Sequence, residues 1–197
     1  RIALAFPDVY EVGMSHLGLR ILYQVLNALD GIAAERVYTP WPDMAAQMAA
    51  EQIPLATLET ATPLAKTDII GFTLQYELYC TNILTMLRQA AIPLRAENRD
   101  NSWPLIIGGG PGAYNPEPLA PFFDAFLLGD GEEAVIEIAN LVRDWKKSDS
   151  RSKQELLEKL SAIDGVYVPS FFKVEYHADG RIASVQPLKS GDRKSVV

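Results

Sequence analysis

The sequence predicts an α/β fold, an open and mostly parallel five-stranded sheet with a small C-terminal β extension. Three observations carry that expectation. Short apolar runs alternate with segments of helical spacing, the pattern of βαβ units around a parallel sheet. The run Asp68-Ile69-Ile70-Gly71-Phe72-Thr73-Leu74 is continuous and apolar, as a strand covered by helices on both faces must be, and so belongs at the centre. The composition, 48% apolar and 22% charged with 13 Gly and 13 Pro, is that of a globular chain rather than a disordered, fibrous or disulfide-stapled one.

Taken in order, Ile2 to Phe6 is the first strand. Ser15 is the expected N-cap of a first helix carrying Leu22, Val25, Leu26 and Leu29 at helical spacing, ended by Asp30-Gly31. Glu35 to Thr39 is a short second strand, and Pro42 opens a helix through Met44 and Met48 that Pro54 stops. Leu55 to Leu58 is expected as a brief extra strand, followed by the central strand and by a helix from about Glu77 to Ala91, with Pro93 beyond its end. Trp103 to Ile107 and Phe123 to Leu128 are the fourth and fifth strands, and Val135, Ile138, Ala139, Leu141 and Val142 lie on the helix after them. These residues, 1–145, form the main domain; the polar stretch 146–154 reads as a solvated linker. In the remainder, 155–197, a short helix around Glu155 to Leu160 precedes a strand at Val166 to Val168. A β-hairpin follows, turning at Asp179-Gly180. The chain opens on Arg1 and closes on Ser195-Val196-Val197, which reads as a segment of a longer polypeptide.

Charge and cysteine count exclude several functions for this segment. A formal net charge of −7 argues against a nucleic-acid grip, which needs clustered Lys and Arg. Apolar runs stay far below the ~20 residues that span a bilayer, and no secretory signal is visible, so the location expected is cytoplasmic. A single cysteine, Cys80, excludes an internal disulfide and a cysteine-rich metal site, and it reads as a core residue of the third helix.

In open parallel sheets, ligands bind outside the carboxyl ends of the strands, where the strand order reverses. The informative segments are therefore the long loop Pro7 to His16, then Gln75-Tyr76-Glu77, the run Gly108-Gly109-Gly110-Pro111-Gly112, and Gly129-Asp130-Gly131-Glu132-Glu133. Gly108-x-Gly110-x-x-Ala113 matches a permissive dinucleotide fingerprint, but it follows the fourth strand and leads into Pro111, Pro116 and Pro118 instead of a helix. No Gly-Lys-Ser/Thr follows, so a P-loop is excluded. The run is either a plain glycine-rich turn or a side-chain-free surface for a large flat ligand or another domain. Asp130, Glu132 and Glu133 read as first-turn carboxylates at the positive end of a helix, and His16 as a packing or capping residue at a helix start. His16 and His177 have no Cys or His neighbour at ligand spacing.

The order of these features resembles the cobalamin-binding domain, a Rossmann-like, flavodoxin-like α/β fold. That family carries Asp-x-His-x-x-Gly after strand one, Ser-x-Leu on strand three and Gly-Gly after strand four. Here Asp8-Val9-Tyr10-Glu11-Val12-Gly13 stands in the first place, Thr73-Leu74-Gln75 in the second and Gly108-Gly109 in the third, with Gly110 beside them. Tyr10 holds the position of the cobalt-ligating histidine, and a phenol of pKa ~10, protonated at neutral pH, is a poor donor to a transition metal. More specifically, Ala5 to Gly18, Gly71 to Glu77 and Gly108 to Pro111 resemble the N-terminal region of a family of radical S-adenosylmethionine proteins, and the resemblance covers essentially the whole chain. Gly129-Asp130-Gly131-Glu132 is similar to the turn after the fifth strand in cobalamin-type radical enzymes.

The resemblance implies an accessory N-terminal domain of a radical S-adenosylmethionine, iron–sulfur oxidoreductase. Cobalamin or a substrate fragment would bind at Asp8, Tyr10, Gly13, Thr73, Gln75, Gly108, Gly109 and Gly110, with the nucleotide tail between strands one and three. The 4Fe-4S cluster and S-adenosylmethionine would belong to a C-terminal barrel of the same polypeptide, because the family's Cys-x-x-x-Cys-x-x-Cys cannot exist in a chain with one cysteine. Two alternatives stay open: a structural docking domain that keeps the fold without a ligand, and a free-standing small-molecule binder.

Overall fold

The computed structural model describes residues 1–148 and 151–188; residues 189–197 of the expected extension and 149–150 of the expected linker lie outside the described residues. Five parallel strands, β1 (Ile2–Phe6), β2 (Ala34–Tyr38), β3 (Ile69–Thr73), β4 (Leu105–Gly109) and β5 (Ala125–Leu127), lie in the order β2-β1-β3-β4-β5. The most apolar run of the sequence does sit centrally, with Ile69 and Gly71 paired to Ile2 and Leu4 on one side and to Leu105 and Ile107 on the other.

The sheet has six strands rather than five. β6 (Val166–Tyr167) pairs antiparallel to β5, Phe126 opposite Tyr167, so residues expected in the C-terminal extension close one edge of the main sheet. The strand expected at Val166 to Val168 forms, but two residues carry too little periodicity to say which sheet they join, and their burial puts them at the main sheet's edge: Val166, Tyr167 and Val168 are all buried. The hairpin forms as expected from β7 (Phe172–Tyr176) and β8 (Ile182–Pro187), as a separate two-stranded sheet.

Alternation along the strands builds two cores. Ile2, Leu4, Ile69, Ile107 and Leu127 face helices α2 (Leu17–Asn27) and α5 (Ala134–Lys147), joined by α6 (Lys153–Ser161) through Leu156, Leu157 and Leu160. Ala3, Ala5, Ile70, Phe72, Ile106 and Phe126 face α4 (Tyr79–Gln89), which contributes Ile83, Met86 and Leu87. Each leucine, isoleucine, methionine or phenylalanine among them contributes roughly 1.5–3 kcal/mol when fully buried. Cys80 packs against this second core. Helix α3 (Pro42–Ala50) has Pro at its start as expected and buries none of its residues.

Three local expectations shift. The residues 55–58 make only an isolated bridge, Ala56 to Pro63, although Leu58 N–H still reaches the Arg36 carbonyl at 2.8 Å. The long first loop contains a single helical turn, α1 (Tyr10–Gly13). Ser15 hydroxyl turns back to the Val12 carbonyl at 3.4 Å, so His16 rather than Ser15 caps α2.

Candidate functional site

The chain leaves β1 toward β2 on one side and reaches β3 on the other, so the strand order reverses between β1 and β3. That reversal opens a crevice at the carboxyl ends. A cavity of about 440 Å³ runs from it along the sheet face covered by α2 and α5, as far as Ile2 and Ile69 at the amino ends of β1 and β3. Leu19 and Leu22 of α2 form one wall, Val135 and Ile138 of α5 the other, and Gly71 and Gly109 lie in the floor. The volume falls within the ~300–1,000 Å³ of small-molecule sites, and its apolar walls with a few polar groups match their usual chemistry.

The two floor glycines create the space. A Cβ on Gly71 would approach no heavy atom closer than 3.9 Å, and one on Gly109 likewise none closer than 3.9 Å. Packing does not require glycine at either place; its absence of a side chain leaves room above the sheet. Gly108, one residue earlier, points to the opposite face, where a Cβ would stand 2.8 Å from both Leu74 Cδ1 and Phe126 Cδ1. Gly110 adopts φ of +99°, which few other residues tolerate, and turns the chain back over β3. The β3 and β4 ends are knitted there by Leu74 N–H to Gly109 O at 2.7 Å and Gly112 N–H to Leu74 O at 2.8 Å. The glycine run then enters a 3₁₀ turn, Pro111–Tyr114, and not the α-helix a dinucleotide loop needs.

Of the residues expected at the site, Thr73, Gln75, Gly109 and Gly110 line the cavity. Asp8, Tyr10 and Gly13 gather instead in an aromatic cluster beside it. Tyr10 meets the Tyr38 ring edge-on at 5.3 Å, and Phe6 links Tyr38 at 6.4 Å to Tyr79 at 5.5 Å. Gly13 is a packing residue there, since a Cβ would come within 2.6 Å of both Phe6 and Tyr38. Asp8 folds its Oδ1 onto the neighbouring Val9 N–H at 2.8 Å. Asp130 and Glu132 lie in the turn before α5, ahead of its first turn, and line the cavity mouth together with His16 and Tyr114.

Sequence reasoning does not single out the helix walls or Gly71 as site residues. The signal for Gly71 is its two-residue offset from Thr73, which puts both on one face of β3, and Thr73 pairs directly with Gly109.

Burial, and next the Asp8 carboxylate, push the Tyr79 phenol up to about 12. Its proton is held more tightly folded than unfolded, so its stabilisation is complete below the ordinary value of 10.0 and is lost as pH climbs toward 12. Denaturation midpoints should fall over that window in parallel with phenolate absorbance, and Tyr79→Phe should flatten the fall; an unchanged pH dependence in the variant would contradict the assignment.

No helix among the described residues is long and apolar enough to cross a membrane. No curated protein matches the chain. In fold it is similar to two solved structures of the radical S-adenosylmethionine methyltransferase TsrM from Kitasatospora setae. One has cobalamin and a [4Fe-4S] cluster bound, at TM-score 0.51 and 14% identity over 95% of this chain and 29% of that one. The other has tryptophan substrate and the analogue aza-SAM bound, with the same score and identity, covering 95% of this chain and 30% of that one. The chain thus spans about three tenths of the length of either. The family described as "Radical SAM proteins, N-terminal" matches residues 18–169, and the chain belongs to that family.

Proposed function

We propose that this domain binds cobalamin at the carboxyl ends of β1, β3 and β4 and serves as the accessory N-terminal domain of a radical S-adenosylmethionine, iron–sulfur oxidoreductase. The observation that carries the reading is the apolar cavity between α2 and α5, whose floor is opened by Gly71 and Gly109. Its apolar lining from α2 and α5 suits an aromatic base held between the two helices. Leu19, Leu22, Val135 and Ile138 would hold that base, while Thr73 and Gln75 offer polar atoms nearer the mouth. Bound there, cobalamin would supply a cobalt centre for methyl-transfer or electron-transfer chemistry. The Tyr10 ring packs edge-on against Tyr38 and lies outside the cavity, so it would take no part in holding the base.

The partner in this reading is the C-terminal barrel of the same polypeptide, carrying the 4Fe-4S cluster and S-adenosylmethionine, in the cytoplasm. What supports that placement is the concentration of exposed apolar side chains on the loops at the carboxyl ends, among them Val12, Leu17, Trp41, Leu78 and Tyr114.

The test is titration of hydroxocobalamin into the full-length protein with its cluster reconstituted, followed by the visible spectrum. Saturable binding with a shifted corrin spectrum is the expected result. No binding at high micromolar concentration would leave the ligand-free docking domain as the better reading.

A further inference from the structure

Resting on the cobalamin reading, the inference concerns His16, which stands at the cavity mouth and also caps α2. Its Nδ1 accepts the Leu19 N–H at 3.1 Å. A ring nitrogen that accepts must keep its lone pair there, so the neutral imidazole carries its proton on Nε2. Metal coordination through Nε2 would need that proton moved to Nδ1, where it would face the Leu19 N–H donor to donor and forfeit the helix cap. The ring is also held in place. Phe6 packs against it at 5.2 Å between centroids, and a Cβ on Gly18 would lie 3.1 Å from its Cε1. His16 is thus a fixed donor. Nε2 makes no hydrogen bond among the described residues.

The rest of the mouth is complementary. Asp130 and Glu132, acceptors only when ionised, line the same cavity from the turn before α5. The start of α2, an 11-residue helix, adds its positive dipole end beside His16. A ligand therefore meets donors and positive potential on the α2 side, and acceptors on the α5 side.

We propose that His16 is a specificity-determining residue that donates its Nε2–H to an anionic phosphodiester oxygen of the ligand's nucleotide tail, and is not a ligand to the metal. Asp130 and Glu132 then take the hydroxyl or amide donors on the opposite side of that tail.

The experiment compares the full-length wild type with His16→Asn, using hydroxocobalamin and dicyanocobinamide, which lacks the nucleotide and its phosphodiester. Asparagine keeps the helix cap while withdrawing the ring donor. The variant should lose about 10- to 100-fold in affinity for hydroxocobalamin, the scale of a hydrogen bond to a charged group, and bind dicyanocobinamide as the wild type does. His16→Ser, a second capping residue, should repeat that pattern with an unchanged circular dichroism spectrum. Equal losses for both probes, or none for either, would overturn the assignment. So would nitrogen hyperfine splitting from [¹⁵N]histidine on protein-bound cob(II)alamin that disappears in His16→Asn, because histidine labelling alone would also report His177. Failure of the wild type to bind either probe removes this assignment together with the reading beneath it; wild-type binding that His16→Asn leaves intact removes only the role of His16.

Discussion

Isoleucine at Gly71 should give a folded protein, no less stable than the wild type, whose affinity for hydroxocobalamin is at least about 100-fold weaker, a difference near 2.8 kcal/mol. Gly71 lies in mid-strand with a β-compatible backbone, paired to Leu4 and Ile107. Its prospective Cβ meets nothing closer than 3.9 Å, so the new side chain extends into the cavity instead of into a neighbour. Replacing a strand glycine by a β-branched residue favours folding, and filling apolar space adds roughly 0.8 kcal/mol per buried CH₂. The same atoms occupy the volume that the proposed ligand's nucleotide tail would need, and the rigid sheet behind Gly71 cannot yield. Gly108→Ala is the internal control with the opposite sign. Its methyl would stand 2.8 Å from Leu74 and Phe126 on the far face, costing about 1–3 kcal/mol of stability through overpacking and leaving the cavity volume untouched. Urea denaturation and cobalamin titration on the two variants check the pair. Retained binding in Gly71→Ile would place the ligand elsewhere.

These glycines also show what a sequence can and cannot reveal. The sequence ends the fourth strand at Ile107 and leaves both glycines in the following run; β4 in fact reaches Gly109, and only as strand residues do Gly108 and Gly109 face opposite sides and take different roles. Which of them faces a cavity is not legible in the sequence either, because that depends on helices drawn from residues 17–27 and 134–147, more than a hundred positions apart. The central strand and the order of strands and helices follow from local pattern, whereas the cap of α2 falls on His16, one residue beyond the Ser15 that the pattern offers. Nor does the place of β6 follow from local pattern: two residues acquire their role only from the edge of β5 they complete. Motif order singles out Asp8, Tyr10 and Gly13, and it preserves the loop but not the direction of each side chain. Tyr10 turns toward Tyr38 because that ring, at the end of β2, offers it an edge-on partner.

The second large effect lies away from the cavity and should reach it through β5. Asp124→Asn is expected to destabilise the domain by about 3–5 kcal/mol, the cost of leaving buried cations without their counter-charge. Arg99 and Asp124 side chains are 0% and 2% exposed, and Asp124 binds Arg99 at 3.2 Å through Oδ2 and Lys153 at 2.8 Å through Oδ1. The same carboxylate accepts the Ile106 N–H of β4 at 2.8 Å, while Arg99 also donates to the carbonyls of Pro93, Leu94 and Phe122. One carboxylate therefore fixes the segment before β4, the entry to β5 and the start of α6. An amide offers Arg99 and Lys153 no charge and brings an N–H₂ donor against them. Lys at position 99 would not rescue the site, since only the planar guanidinium spans three carbonyls and a carboxylate together. β5 is three residues long, Ala125–Leu127, and its far end leads directly to the Gly129–Glu132 wall of the cavity. Loosening its entry should therefore weaken cobalamin binding under conditions where the variant is still folded. Chemical denaturation combined with titration at low temperature checks both parts. A variant that unfolds early yet binds as tightly as the wild type while folded would show that the ion network stabilises the domain without positioning the site.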